Sequence, residues 1–291
     1  MNLNDCLRAV CTTALLSTAC AMPDGAECLD AARLADLPAS LDEASGMALS
    51  RRDAAVLWAH NDSEGAATLY ALDRSGRMLA EIPLPRAGRQ FDWEDIAAGP
   101  CPAGDCLYIG DIGDNLHNRD DRAILRIAEP PIDASGPVTV ERYPISYPDG
   151  PVDAEALFVT RDMAIYIITK GRRDGITLYR YPPPLRSGER VQLERIQQLK
   201  EGVAQVPDLV TGADAAPDGE RIAVRTYSRV TIFRFDNDTL VTVGAESDIT
   251  SLGEPQGEAV TFAGGDTLLL ATEAGPAREK PFISAVTCST H

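Results

Sequence analysis

FDWEDIAAGPCPAGDCLYIGDIGDN, residues 91–115, opens on an acidic pair, Glu94-Asp95, at the head of an apolar strand. A turn flanked by Cys101 and Cys106 leads into a second apolar strand, which exits through Asp111, Asp114 and Asn115. Strand-like runs at 123–128 and 138–147 follow. An acid, four short strands and turn residues between them make one structural unit.

The rest of the chain repeats this unit. The first begins at Glu43-Ala44-Ser45-Gly46, and its second strand exits through His60-Asn61-Asp62. The third begins at Glu155-Ala156-Leu157 and exits at Lys170, with further strands at 176–181 and 191–199. The fourth carries Asp214 in its opening strand and exits at Arg225; the fifth has Glu258 and exits at Glu273. The openings Glu43, Glu94, Glu155, Asp214 and Glu258 are 51, 61, 59 and 44 residues apart. Regular short strands at such a period predict an all-β fold, a five-bladed β-propeller of four-stranded antiparallel blades. Helical periodicity is absent.

The fifth unit lacks a fourth strand, and the one orphan strand, 28–37, lies at the other end of the chain. Strand exchange across the termini completes the blade. It also brings together Cys28 and Cys288, while Cys101 and Cys106 flank a turn tight enough for a local bridge. Both disulfides suit an oxidising compartment.

Export is expected from the N-terminus as well. Residues 9–19 are uncharged and mostly apolar, preceded by Arg8, and too short to span a bilayer. Leu16 to Cys20 resembles a bacterial lipobox with Cys20 as the lipidated residue; cleavage after Ala21 satisfies the small-x-small rule equally. Residues 1–21 are thus expected to be a signal peptide and 22–291 a single propeller domain. The destination is periplasmic or outer-membrane-anchored, with the membrane touched only through the lipid. No other stretch is long and apolar enough to cross a membrane.

The formal charge of −17 provides no basic stripe for phosphates and excludes nucleic acid as a partner. In a propeller the first strand of each blade lines the channel, so its start and the exit of the second strand open on one face. Two residue sets are therefore expected at one mouth. The strand starts give Glu43, Glu94, Glu155, Asp214 and Glu258; the exits give Asn61, Asp62, Asp111, Asp114, Asn115, Lys170, Arg225 and Glu273. Converging carboxylates need a cation or protons. Calcium accepts six to eight oxygens in loose geometry, and Asn61, Asp62, Asp111, Asp114 and Asn115 offer such oxygens as its expected ligands. Glu94, Glu155, Lys170, Asp214, Arg225, Glu258 and Glu273 are left to bind a ligand. A plainer reading also exists, in which the strand-start acids cap backbone N–H groups where the blades converge. His60 reads as a solvated turn residue, and Trp93 as core packing between blades. There is no nucleophile elbow, no His-Glu-x-x-His and no phosphate-binding glycine loop.

The openings Glu-Ala-Ser-Gly, Glu-Asp-Ile-Ala, Glu-Ala-Leu and Glu-Ala-Val, with the turn Ala-Pro-Asp-Gly-Glu-Arg at 216–221, resemble strand starts of calcium-dependent propellers. Those are the gluconolactonase-like and phytase-like esterase families of secreted bacterial proteins. The resemblance implies a divalent metal on the channel axis, with Glu43 as the first-blade ligand and Asn61 as an exit ligand. Lys170 and Arg225 depart from that pattern by placing cations at two exits. The expected function is an envelope propeller whose calcium-binding mouth holds a small molecule or an envelope protein. The alternative is a metal-dependent hydrolase of small esters, lactones or phosphoesters. A glutaminyl-cyclase-like enzyme with a channel Glu as acid and base is a third reading.

Overall fold

The computed structural model describes residues 27–63, 65–88, 90–134, 136–243 and 246–289. The signal segment and Cys20 lie outside the described residues. Strand β1 (Glu27–Asp36) is followed by blade I, built from β2 (Ala44–Leu49), β3 (Val56–Asn61), β4 (Thr68–Asp73) and β5 (Met78–Pro83). Blade II comprises β6 (Trp93–Cys101), β7 (Gly104–Asp111), β8 (Ala123–Ala128) and β9 (Val140–Ser146). Blade III comprises β10 (Ala154–Val159), β11 (Ile165–Thr169) and β12 (Ile176–Arg180); after a short β13 (Val191–Gln192) it ends with β14 (Glu194–Lys200). Blade IV has β15 (Val210–Ala215), β16 (Arg221–Thr226), β17 (Arg229–Asp236), β18 (Thr239–Thr242) and a short β19 (Ser247–Asp248). Blade V has β20 (Gln256–Phe262), β21 (Thr267–Glu273) and β22 (Phe282–Ser289).

The sheet order β1-β22-β21-β20 puts the first strand of the chain on the outside of the last blade. Cys28 stands directly opposite Cys288 in that pairing, and the two are disulfide-bonded. Cys101 and Cys106 form the second bridge. The five-bladed, strand-exchanged propeller expected from the repeat is therefore the observed fold. One boundary differs. The run 191–199 is not one strand: β13 pairs in parallel with β9 of blade II, whereas β14 belongs to blade III. The chain thus stitches two blades together before completing the second.

The inner strands explain the sequence pattern. All six residues of β10 are buried, as are the first five of β2 and the last six of β20. Strands buried on both faces need continuous apolar or small side chains, and these runs supply them. Outer strands such as β14 are largely solvated. Apolar side chains between blades gather into five clusters, one at each interface around the ring. Trp93, fully buried, lies in the cluster between blades I and II, the packing role its sequence context predicts. Among the described residues no helix is long and apolar enough to cross a membrane.

Candidate metal centre at the channel mouth

Each inner strand carries a β-bulge near its start, at corresponding places in the pairing with its neighbour. The residues left unpaired are Ser45, Glu94, Glu155, Thr211 and Glu258. A bulge re-aims the side chain it leaves out of the ladder. Where that residue is a hydroxyl, it ties blades together: Ser45 donates to the Glu94 carbonyl at 2.6 Å and Thr211 to that of Glu258 at 3.0 Å. Where it is a glutamate, a carboxylate enters the mouth.

This register corrects the expected ring of five equivalent acids. Glu94, Glu155 and Glu258 are equivalent. Glu43 lies two positions before the bulge of its blade, matching Asp92 and Asp153. Asp214 lies three positions after the bulge. It sits by the far ends of the inner strands, in a cavity with Leu49, Ala98 and Phe262, where it accepts from Phe262 N (2.8 Å) and Thr261 Oγ1 (2.8 Å). Burial there raises its pKa to about 6. It belongs to the opposite mouth.

The exit loop of blade II departs from expectation too. Asp111 is fully buried against Arg119 (2.6 Å) and Arg142 (3.2 Å). Asp114 takes Arg122 at 2.8 Å and the backbone N–H groups of Asn118 and Arg119. Asn115 is held by Arg172. These three, expected as metal ligands, have their oxygens committed to cations and amides. Arg225 is likewise structural: it is fully buried, donates to the Ala259 (2.8 Å) and Ala271 (3.2 Å) carbonyls, and pairs with Glu254. Gly257 lies against it so closely that a Cβ would fall 1.8 Å from the guanidinium.

The mouth proper contains Asp62, Asp92, Glu94, Asp153 and Glu155, with Lys170, Glu258, Glu273 and Glu43 around them. Oxygens of Asp62, Asp92 and Glu94 lie within 4.8 Å of one another, as do those of Glu94, Asp153 and Glu155. Glu94, Asp153 and Glu155 are buried and Asp62 and Asp92 half-buried, and acids so grouped could hold a metal ion. Lys170, 6% exposed, pairs with Glu155. Burial opposes its charge, but Glu155, Glu94 and Glu258 outweigh this and raise its pKa. Burial is also the leading cause of the raised carboxyl pKa values, and neighbouring acids add to it. Asp62 is pushed up to about 9, Glu258 to about 8 and Glu273 to about 7; Glu94 and Glu155 are raised as well. Among the described residues of the mouth and its rim, Asn61 Oδ1, Asp62 Oδ1 and Asp153 Oδ2 are buried with no hydrogen-bond donor. Such atoms are costly to desolvate unless something binds them.

A cleft of about 850 Å³ adjoins the mouth, with Glu43, Asn61, Asp62 and Glu273 in its wall together with Tyr70 and Lys280. His60 is not the solvated residue its position suggests. It is fully buried, edge-on to Trp93 with ring centres 5.6 Å apart, its Nδ1 is 2.9 Å from the Asn61 carbonyl, and burial lowers its pKa to about 4. Sequence reading missed Asp92, Asp153 and Asp95. The first two carry a visible signal, the Asp-x-Glu pattern at 92–94 and 153–155. Asp95 plugs the channel, accepting backbone N–H groups from Leu157 (2.8 Å) in blade III and Ala213 (3.0 Å) in blade IV.

No protein-family model matches the sequence, and no curated protein sequence is similar to it. Solved structures are. The PQQ-bound aldose sugar dehydrogenase of Streptomyces coelicolor aligns with a TM-score of 0.53 at 14% identity, over 92% of this chain and 99% of that one. A glucose dehydrogenase aligns at 0.51 and 12%, over 90% and 100%. A gluconolactonase of Xanthomonas campestris aligns more loosely, at 0.43 and 13%, over 84% and 72%. At these identities what the two dehydrogenases share with this chain is the fold, and the chain is a five-bladed β-propeller.

Proposed function

We propose that the mouth is a divalent-cation site, with calcium the best-suited ion, and that the protein uses it to bind a small ligand or an envelope partner. The observation that carries this is the pair of donorless buried oxygens, Asp62 Oδ1 and Asp153 Oδ2, set beside the Glu94 and Glu155 carboxylates. An all-oxygen carboxylate set without His or Cys suits a hard cation of flexible coordination. The ligand set is not the one expected from sequence. Asp62 stays in it, Asp92, Glu94, Asp153 and Glu155 replace the blade II exit residues, and Glu43 and Asn61 face the adjoining cleft.

A second reading, hydrolysis of small esters, lactones or phosphoesters, is favoured by that cleft. Its volume suits a small molecule held against the mouth. A bound cation would supply polarisation of the carbonyl or phosphoryl group, and one water would be consumed per bond broken. Export to the cell envelope, through Cys20 or by cleavage after Ala21, belongs to the same proposal and is supported by the two disulfides.

Thermal unfolding in EDTA and then in calcium tests the cation site. A rise in Tm on adding calcium is expected, and an unchanged Tm sinks both readings. Turnover on a panel of chromogenic esters, lactones and phosphates then separates them, because activity lost in EDTA and restored by calcium excludes a pure binding role.

A further inference from the structure

We infer that the mouth holds two divalent cations, with Glu94 as the carboxylate shared between them. The inference rests on the cation reading above and goes beyond it in number and arrangement. The five acids do not form one cage. They form two triads, Asp62-Asp92-Glu94 and Glu94-Asp153-Glu155, each with its oxygens within 4.8 Å of one another, and only Glu94 belongs to both.

Each triad also carries its own sign of a missing partner. In the first it is Asp62 Oδ1, and in the second Asp153 Oδ2, both buried and without a donor. Asp153 is 3% exposed, and its other oxygen is fixed by the Asp114 N–H at 2.9 Å, so the free oxygen cannot turn away to find water. The two oxygens belong to different triads, whose shared member is Glu94.

The charge of the ionised triads agrees with that count. The two triads carry five carboxylates, and Lys170 on Glu155 is the ammonium paired within them. Arg119 comes to 3.9 Å of Asp92 but is committed to Asp111 at 2.6 Å. With all five ionised, four negative charges remain within the two triads, the number that two divalent ions match; without a cation, protons take their place.

The backbone is shaped for a bridging group. The bulge turns Glu94 out of its ladder, and Gly113 leaves the space it enters: a Cβ there would fall 1.9 Å from Glu94 Oε1 and 2.6 Å from the Asp92 carboxylate. Carboxylates that bridge ions about 4 Å apart are the usual means of holding two-metal centres.

The test is stoichiometry. The mature protein is equilibrated with calcium by dialysis and its metal content measured, with isothermal titration as a second readout. Two calcium ions per chain are expected. D62N and D153N should each retain one, since an amide keeps the shape while losing the charge, and E94Q should lose both. One ion per wild-type chain overturns the two-cation centre while leaving the cation site intact; none overturns both. If D62N and D153N abolish the same single binding event, the bridging role of Glu94 is refuted even where the total appears higher.

Discussion

Asp95 of blade II accepts the backbone N–H of Ala213 in blade IV, 118 residues away, at 3.0 Å across the propeller axis. The same oxygen takes the Leu157 N–H at 2.8 Å, and the other oxygen takes the N–H of Ile96. Burial raises the Asp95 pKa while these three donors oppose it. Three N–H groups aimed at one carboxyl leave no acceptor to receive a proton from it, and an amide in its place would turn an NH2 toward one of them. Asp95→Asn is therefore expected to cost about 2–4 kcal/mol, each hydrogen bond to a charged group contributing roughly 1.5–3 kcal/mol. Urea denaturation measures it. A loss below about 0.5 kcal/mol, the range of an unimportant substitution, would show that Asp95 is protonated in the fold.

The two disulfides should differ in worth. Cys28–Cys288 closes a separation of 260 residues, whereas Cys101–Cys106 closes 5. Loop-closure entropy then assigns about 5.6 kcal/mol to the first and about 2 kcal/mol to the second. Replacing Cys28 and Cys288 together by Ser should lower Tm well beyond the Cys101/Cys106 double variant. Equal losses would mean that β1 is held to β22 by its ladder and side chains alone. Peptide mapping of the non-reduced protein checks the pairing itself.

The fold was legible because its signals are local and repeated: turn residues, apolar runs, and an unpaired strand with an unpaired cysteine at each end. The site was legible only in part. Reading acids as interchangeable aligned Glu43 and Asp214 with Glu94, because a bulge adds a residue that no propensity reveals. Asp111 and Asp114 looked like ligands in isolation. Their partners Arg119 and Arg122 are near in sequence, but whether a neighbouring arginine folds back onto an acid is decided by the loop's three-dimensional path. Arg142, the second partner of Asp111, arrives from β9. Asp92 and Asp153 could have been found, since Asp-x-Glu recurs at the heads of two blades.

Gly113 offers a local probe of the mouth. An alanine Cβ would fall 1.9 Å from Glu94 Oε1 and 2.6 Å from the Asp92 carboxylate, so both acids would have to move from their places in the mouth. Gly113→Ala is expected to destabilise the protein by about 1–3 kcal/mol, the usual cost of overpacking. It should also remove most of the Tm rise produced by calcium. A variant with an unchanged calcium response would place the ions elsewhere.

The pH dependence follows from the raised carboxyl values. Asp62 titrates at about 9 and Glu258 at about 8 in the fold, with burial the first cause and neighbouring acids the second. In the unfolded chain both titrate near 4. The folded form therefore holds protons more tightly. The stability they contribute is complete below about pH 4 and is lost as pH rises through 8 to 9. His60 acts in the other direction: its folded value of about 4 lies below the ordinary 6.5, so its contribution is present above 6.5 and lost as pH falls toward 4. Two raised carboxyls outweigh the one imidazole, so in EDTA Tm should fall from about pH 5 toward pH 9. Calcium binds the ionised carboxylates, so the increment it adds to Tm should grow over the same range, flattening the alkaline limb. Asp62→Asn, which keeps a neutral group at that position, should flatten the limb in EDTA while reducing the calcium increment. Melts at pH 5, 7 and 9 with and without calcium decide the matter: a Tm in EDTA that climbs toward pH 9 would mean the mouth is ionised and compensated without any added cation.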